Sequence, residues 1–268
     1  MRRAFTWHAR PGLAGGIDKD GSRADELLGI GFGSVEFGSV MPEAVPAVAA
    51  RLTALASRRM TAIGVGLGLP PEWPADSLAD AWLAGLDGLW PVADYLSFNL
   101  SAAANRRFLL AEHALRLTQV FRVLSARRDQ LATDHGRRLP LALKLPLGGG
   151  EAPWPEAAAI AVAAGFDQLT LVLPEETDRF SRLEVLAKAL ASDLDGRCAV
   201  VAVGGIRGAA DVLAARRAGA AGVQVHRLFV EQGAACLAAL LPYLTMSSNS
   251  TSKTSVELGG MPGTPRLP

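Results

Sequence analysis

The sequence predicts an α/β protein: a single-domain (β/α)8 TIM barrel over residues 1–244, with a disordered tail over residues 245–268. Three observations predict it. Short apolar runs rich in β-branched residues alternate along the chain with segments whose apolar residues recur at spacings of three and four. Glycine repeatedly stands just past a helix end and turns directly into a strand, at Gly31-Phe32-Gly33-Ser34-Val35, Gly165-Phe166-Asp167-Gln168-Leu169 and Gly219-Ala220-Ala221-Gly222-Val223. Eight alternating units in about 250 residues favour a closed barrel over an open sheet.

The elements follow in order. The first strand is expected at Ala14–Ile17, with a helix over Asp20–Leu28. Ser34–Ser39 leads to a helix over Ala44–Ser57, Thr61–Val65 to one over Ser77–Leu86, and Tyr95–Asn99 to a long one over Arg106–Leu131. Leu141–Leu145 precedes a helix over Pro155–Ala164, and Gln168–Leu173 precedes one over Arg179–Leu190. Ala199–Val203, an Ala-rich helix over Ala209–Ala218, Gly222–His226 and a helix over Gln232–Leu241 complete the set. Each strand is short, apolar and buried in pattern, as parallel strands covered on both faces are. From Thr245 the polar run Ser247-Ser248-Asn249-Ser250-Thr251-Ser252, followed by Gly and Pro, has no apolar period.

Composition bounds the function. The 268 residues are 50% hydrophobic and carry a formal net charge of +1. That suits one domain with a sizeable core and gives no basic excess for nucleic acid or an anionic membrane surface. No run reaches the roughly 18 apolar residues that span a bilayer, and the N-terminus lacks a signal peptide's apolar stretch. Cys198 and Cys236 lie far apart, so no disulfide framework is indicated and a cytoplasmic location is expected. His8, His113 and His135 show no ligand spacing, so no metal is assigned.

Val203-Gly204-Gly205-Ile206 is a Gly-Gly turn after a strand and before a helix. Bare amides there approach a phosphate closely, and barrels build phosphate sites from the loops after strands 7 and 8. The opening residues carry a second signal, Gly15-Gly16-Ile17-Asp18-Lys19-Asp20-Gly21, followed by Leu28-Gly29-Ile30-Gly31-Phe32-Gly33-Ser34-Val35-Glu36-Phe37-Gly38-Ser39-Val40. With Val203–Ile206, Ala218-Gly219-Ala220 and Val223-Gln224, these segments resemble the dihydroorotate dehydrogenases in order and spacing over most of residues 12–244. That family is a flavin-dependent (β/α)8 barrel that oxidises dihydroorotate in pyrimidine synthesis. The likeness is greatest to its membrane-associated, quinone-using class, whose N-terminal amphipathic helices have no counterpart among these residues.

The resemblance implies an FMN site. Gly15 and Gly16 match backbone lying against the flavin ring, and Lys19 matches a lysine at the flavin and substrate carboxylate. Ser39 stands for the family's threonine, Asn99 for an asparagine shared by flavin and substrate, and Lys144 for a lysine near the ring's reactive edge. Gly205 and Gly219 match phosphate-loop glycines, and His226-Arg227 replaces an aromatic-hydroxyl pair. Arg227 is suited to holding a phosphate bidentately.

The substrate side departs from the family. In Asn99-Leu100-Ser101-Ala102-Ala103-Ala104-Asn105, the proton-abstracting base position is Ala102, leaving Ser101 as the neighbouring hydroxyl. An asparagine position is Ala104, Val172-Leu173-Pro174 replaces Thr-Asn-Thr, and Gly66-Leu67-Gly68-Leu69-Pro70 replaces Asn-Ile-Gly-Lys-Asn. The segment between Met41 and Arg59 is shortened, and a substrate-binding Gly-Phe-Asn-Asn goes with it. Gly66 and Val172 also lack polar groups the family aims at the flavin; two lost hydrogen bonds weaken binding about 30-fold.

Two accounts stay open. The chain is an FMN-binding oxidoreductase with a changed small-molecule substrate, or a non-catalytic barrel serving as scaffold or partner subunit. Binding of another phosphorylated metabolite, and assembly as a homodimer, are compatible with both. Several residues also have purely structural readings. Lys144 ends a strand and can reach solvent, Lys19 can pair with Asp18 or Asp20, and Asn99 can cap the following helix. Arg106-Arg107 and Arg127-Arg128 read as solvated helix faces. Trp73, Trp82 and Trp90 read as packing residues or a cleft wall.

Overall fold

The computed structural model describes residues 10–55, 60–148, 156–175, 178–194 and 198–240. Eight parallel strands close a barrel in sequential order, β1 (Gly12–Leu13), β2 (Ser34–Val40), β3 (Ala62–Leu67), β4 (Tyr95–Asn99), β5 (Leu141–Pro146), β6 (Gln168–Val172), β7 (Ala199–Val203) and β8 (Gly222–Val225). Around them run α1 (Ala24–Gly29), α2 (Val45–Thr53), α3 (Leu78–Leu89), α4 (Ala114–His135), α5 (Glu156–Ala163), α6 (Arg179–Leu194), α7 (Ala209–Arg217), α8 (Arg227–Gln232) and α9 (Cys236–Leu240). The predicted barrel is the observed one. The expected tail, and with it the domain boundary at residue 244, lies outside the described residues.

Several elements differ from expectation, among them α1, which starts at Ala24 and not at Asp20. The first strand is Gly12–Leu13, which pairs with Val35 on one side and with Gln224 and Val225 on the other. Beyond it Ala14 N still donates to Val225 O at 2.9 Å and Gly16 N to Gly38 O at 2.5 Å, but the regular strand ends, and Asp18 turns the chain: its buried carboxylate accepts the amides of Asp20, Gly21 and Arg23 at 3.2, 2.8 and 2.9 Å. The long fourth helix begins only at Ala114, because Ala103–Leu109 and Ala111–His113 wind as 3₁₀ turns. A helix not expected from the sequence, α8, runs over Arg227–Gln232, and the expected last helix is reduced to α9 after the 3₁₀ turn of Gly233–Ala235.

Strand alternation sorts the buried residues onto two faces. Val35, Phe37, Ile63, Val65, Leu96, Phe98, Leu143, Leu145, Leu169 and Leu171 are buried toward the helices. There Trp82 lies 5.0 Å from Phe98 between ring centroids, and Phe121 lies 4.9 Å from Phe166. The opposite face, inside the barrel, carries Ser34, Glu36, Tyr95, Ser97, Lys144, Gln168, Thr170 and Gln224, all buried. An interior of this kind is usually filled by branched apolar side chains; here it is polar.

The tryptophans take the packing role. Trp82 is buried in the core, Trp90 packs at a tilt against His135 and lies under the Arg137 guanidinium, and the Trp73 indole donates to Ser77 O. Arg127 pairs with Asp87 as a surface residue. Arg128 does not: it is 3% exposed, donates to Gly165 O at 2.9 Å and pairs with Asp167 at 3.2 Å. Arg107 lies half-buried, donating to Trp73 O and covering the Phe108 ring at 4.6 Å. Both cysteines are free, and burial pushes the Cys198 thiol up to about 12, with Asp167 adding to the shift.

Candidate active site

A cavity of about 700 Å³ opens at the C-terminal ends of the strands, where this fold places its chemistry. Its lining brings together Gly15, Gly16, Lys19, Ser39, Asn99, Ser101, Ala102, Lys144, Gly205, His226 and Arg227 from loops more than two hundred residues apart. Gly219 does not join them. It turns from α7 into β8 at the opposite end of the barrel, where a Cβ would stand 2.7 Å from Ala187 Cβ. A glycine before a strand faces the closed end, whatever motif surrounds it.

The cavity floor is a buried ion pair. Lys144 Nζ lies 3.1 Å from Glu36 Oε1, with the two side chains 8% and 2% exposed. Glu36 Oε2 accepts the Tyr95 hydroxyl and Gln224 Nε2, each at 3.2 Å, and Gln224 Nε2 also reaches the Tyr95 oxygen at 3.0 Å. Burial, then the Glu36 charge, pushes the Tyr95 phenol well above its usual range. Lys144 is therefore not a lysine reaching solvent. The ammonium is paired with the carboxylate, which has further donors on β4 and β8, as a buried pair requires. Gly15 lies directly over the pair, since a Cβ there would meet Glu36 Oε1 at 2.8 Å.

Sequence reasoning missed Glu36, Tyr95 and Gln224. A signal was present: Glu36 is a charged residue in the middle of a buried strand, and charged residues are seldom fully buried without a partner.

Asn99 forms one wall. Its Nδ2 donates to Ser39 Oγ at 2.7 Å, and its Oδ1 accepts Ser101 N at 2.9 Å and Ser101 Oγ at 2.7 Å. The side chain therefore both caps the chain leaving β4 and faces the cavity. Asn105 points back into the loop, donating to Asn99 O at 3.0 Å, and takes no place in the cavity. Ala102, Val172 and Leu173 also line the cavity and present no proton acceptor in their side chains. The Ser101 hydroxyl gives its proton to an amide oxygen, which is too weakly basic to take it, so Ser101 is poorly placed as a general base.

The opposite end, between the loops after β7 and β8, is rich in arginine, with Arg179, Arg207 and Arg227 beside Glu175 and Glu231. Gly204, Gly205, Arg207, His226 and Arg227 line it, and so does Arg179 from the start of α6. Partial burial and the charges of Lys144 and Arg227 hold the His226 imidazole below its usual range. Arg227 meets Glu175 at 2.5 Å at the rim. Lys19 lines the cavity, while Asp20 pairs with Arg51 at 3.0 Å and Asp18 is taken up by backbone amides. Among the described residues no group of three or more His, Cys, Asp or Glu is placed to hold a metal ion, and no helix is long and apolar enough to cross a membrane.

The arrangement can hold an anionic, extended ligand. Its volume falls within the roughly 300–1,000 Å³ of small-molecule sites. One end offers glycine backbone and guanidinium groups, the floor a fixed ammonium, and one wall an amide and two hydroxyls.

No family model matches the chain. Relatives do. A quinone-class dihydroorotate dehydrogenase of Leptothrix cholodnii is 30% identical over an alignment of 275 residues, covering 84% of this chain and 80% of that protein. The quinone-class dihydroorotate dehydrogenase of Pseudomonas putida is 29% identical over 274, with 84% and 80% covered. Among solved structures, the Eimeria tenella dihydroorotate dehydrogenase in complex with ferulenol superposes with a TM-score of 0.74 at 19% identity, over 91% of this chain and 82% of that one. That likeness concerns the fold; the sequence relationship carries the family. The chain belongs to the dihydroorotate dehydrogenase family.

Proposed function

We propose that the chain binds FMN in this cavity and acts as a flavin oxidoreductase on a small molecule other than dihydroorotate. The observation that carries the reading is the asymmetry of the cavity. The residues matched to the flavin lie together and are polar or glycine: Gly15, Gly16, Lys19, Ser39, Asn99, Lys144, Gly205 and Arg227. The residues matched to the substrate are apolar at Ala102, Val172 and Leu173.

The site suits FMN on its own geometry. The close approach of Gly15 to Glu36 leaves flat backbone where a ring needs to lie, and the arginine-rich end suits a phosphate. FMN, when bound, supplies a two-electron carrier. The chain's residues then position it. Lys144, fixed by Glu36, puts positive charge at the floor; Asn99 and Ser39 orient one edge; Gly204, Gly205 and Arg227 hold the phosphate. Taking a proton from dihydroorotate needs a base where Ala102 stands, and a missing general base costs about 10²–10⁴ in rate. Absent contacts to the substrate's polar groups lower the rate further.

The test is a flavin spectrum of the purified protein, followed by FMN titration of the apoprotein and an assay with dihydroorotate. Saturable FMN binding with dihydroorotate turnover at least a hundredfold below an ordinary dehydrogenase is expected. Turnover at an ordinary rate overturns the substrate half of the reading. The missing acceptor at Ala102 favours one second reading, a non-catalytic barrel, and absence of FMN binding at tens of micromolar would overturn the flavin reading in its favour.

A further inference from the structure

The barrel interior beneath the cavity floor combines polar side chains with very small ones. Strand register places Gly66, Ser97, Ala142 and Gln168 side by side on β3, β4, β5 and β6. The row above, two residues further along each strand, holds Asn99, Lys144 and Thr170. Both rows face inward: Lys144 reaches Glu36 across the barrel, and a Cβ at Gly66 would meet Glu36 Oε1 at 3.3 Å. Barrels of this fold usually fill such rows with bulky branched residues. Here Gly66 and Ala142, on either side of Ser97, add no more than a methyl group. Ser97 and Gln168 stand two strands apart, about 9–10 Å between backbones.

Polar atoms in this space lack protein partners. Ser97 Oγ, Gln168 Oε1 and Gln224 Oε1 have no hydrogen bond among the described residues, and all three residues are 0% exposed. The amide nitrogens are engaged: Gln168 Nε2 donates to Thr170 Oγ1 at 2.6 Å, and Gln224 Nε2 to Glu36 and Tyr95. Turning either amide over exchanges an unpaired oxygen for an unpaired NH2, and at Gln224 sets an oxygen against the Glu36 carboxylate. Lys144 Nζ has three donors and one partner among the described residues, Glu36 Oε1. Buried polar groups left unpaired are destabilising and in folded proteins are nearly always satisfied. The partner required here donates to amide oxygens and accepts from an ammonium. A cation is opposed by Lys144, and an anion by Glu36 and the amide oxygens. Water does both.

We propose that the barrel interior below the Lys144–Glu36 pair is a binding site for ordered water, held by Ser97 Oγ and Gln168 Oε1 with Gln224 Oε1 as a further acceptor, and that this water solvates the pair from beneath. Internal hydration lowers the cost of burying two charges. The ammonium at the cavity floor then stays ionised without a side chain for each of its donors. The site belongs to the ligand-free chain and does not depend on FMN.

The experiment pairs crystal structures that resolve ordered water, for wild type and Ser97→Ala, with thermal unfolding of both. Wild type should show water within about 2.7–3.2 Å of Ser97 Oγ and of Gln168 Oε1. Ser97→Ala removes a hydroxyl and little volume. It should displace or loosen that water and lower Tm by about 2–4 °C, whereas in a dry interior the loss of an unpaired hydroxyl raises Tm. In a Lys144→Met/Glu36→Gln background the same substitution should cost less than half as much, because the charges that the water serves are gone. Ser97 Oγ and Gln168 Oε1 bonded only to protein groups, a cation in place of water, or a Ser97→Ala variant more stable than wild type overturns the proposal. An equal loss of Tm in both backgrounds overturns the solvation of the ion pair.

Discussion

The two ends of the barrel use the same residue types for opposite purposes. At the end where strands begin, charges finish on backbone or on buried partners. Asp94 Oδ2 accepts the Ile63 amide at 2.8 Å; Asp167 Oδ2 accepts the Leu141 amide at 2.9 Å and faces the buried Arg128. Arg138 pairs with the other Asp167 oxygen. At the end where strands finish, Lys144, Lys19, Arg179 and Arg227 surround a cavity. Glycines divide in the same way. Gly219, φ +97°, lets the turn into β8 touch Ala187, while Gly205, φ +66°, lets an arginine approach a ligand loop. Charge tied to strand amides closes one end of the barrel; at the other end Lys144, Arg227 and Arg179 pair with Glu36, Glu175 and Asp211 while lining a cavity.

The largest expected effect tests the floor of the open end. Lys144→Met leaves the Glu36 carboxylate buried without its counter-charge, and should cost about 3–5 kcal/mol in urea unfolding. Adding Glu36→Gln should recover most of that loss, because it removes the unpaired charge. A single variant as stable as wild type would show that the pair does not hold the interior.

The two glycines give a sharper contrast. Gly219→Ala places a Cβ against the Ala187 methyl at a strained φ and should cost about 2 kcal/mol, lowering Tm by roughly 4–8 °C without changing the ratio of ligand affinity to wild type. Gly205→Ala meets the long Arg179 side chain, so its packing cost is smaller, while phosphate-dependent binding should fall. Equal effects of both variants on binding would erase the distinction between the two ends.

The smallest effect concerns His226. Its folded-state titration is displaced downward, by partial burial first and by Lys144 and Arg227 next. The neutral ring is thus favoured in the folded protein. Its contribution to stability is present above the unfolded value near 6.5 and is lost as pH falls through and below it. The ring is exposed, so the contribution is a fraction of a kcal/mol after solvent screening. Imidazole NMR should show His226 titrating below 6.5; a midpoint above it would contradict the positive surroundings.

Much was legible in the sequence because it is local. Short apolar runs, three-to-four spacings and glycines just past helix ends marked eight units in order, since each depends on neighbours a few residues away. The motifs around Gly15, Asn99, Lys144 and Gly205 showed the residues that would meet, and Ala102 showed what was absent. The rest waited for closure of the barrel. Glu36, Gln224 and Tyr95 form one network across sequence separations of up to 188 residues, and no local pattern marks which inward residues touch. Arg179 read as an ordinary start to a helix until the chain placed it on a glycine 26 residues later. Gly219 read as a phosphate glycine because its motif was right, yet its position before β8 sends it to the closed end. Spacing along the chain decides which face of a strand a residue takes; only the closed sheet decides what stands across from it, because an interior is shared by strands that are distant in sequence.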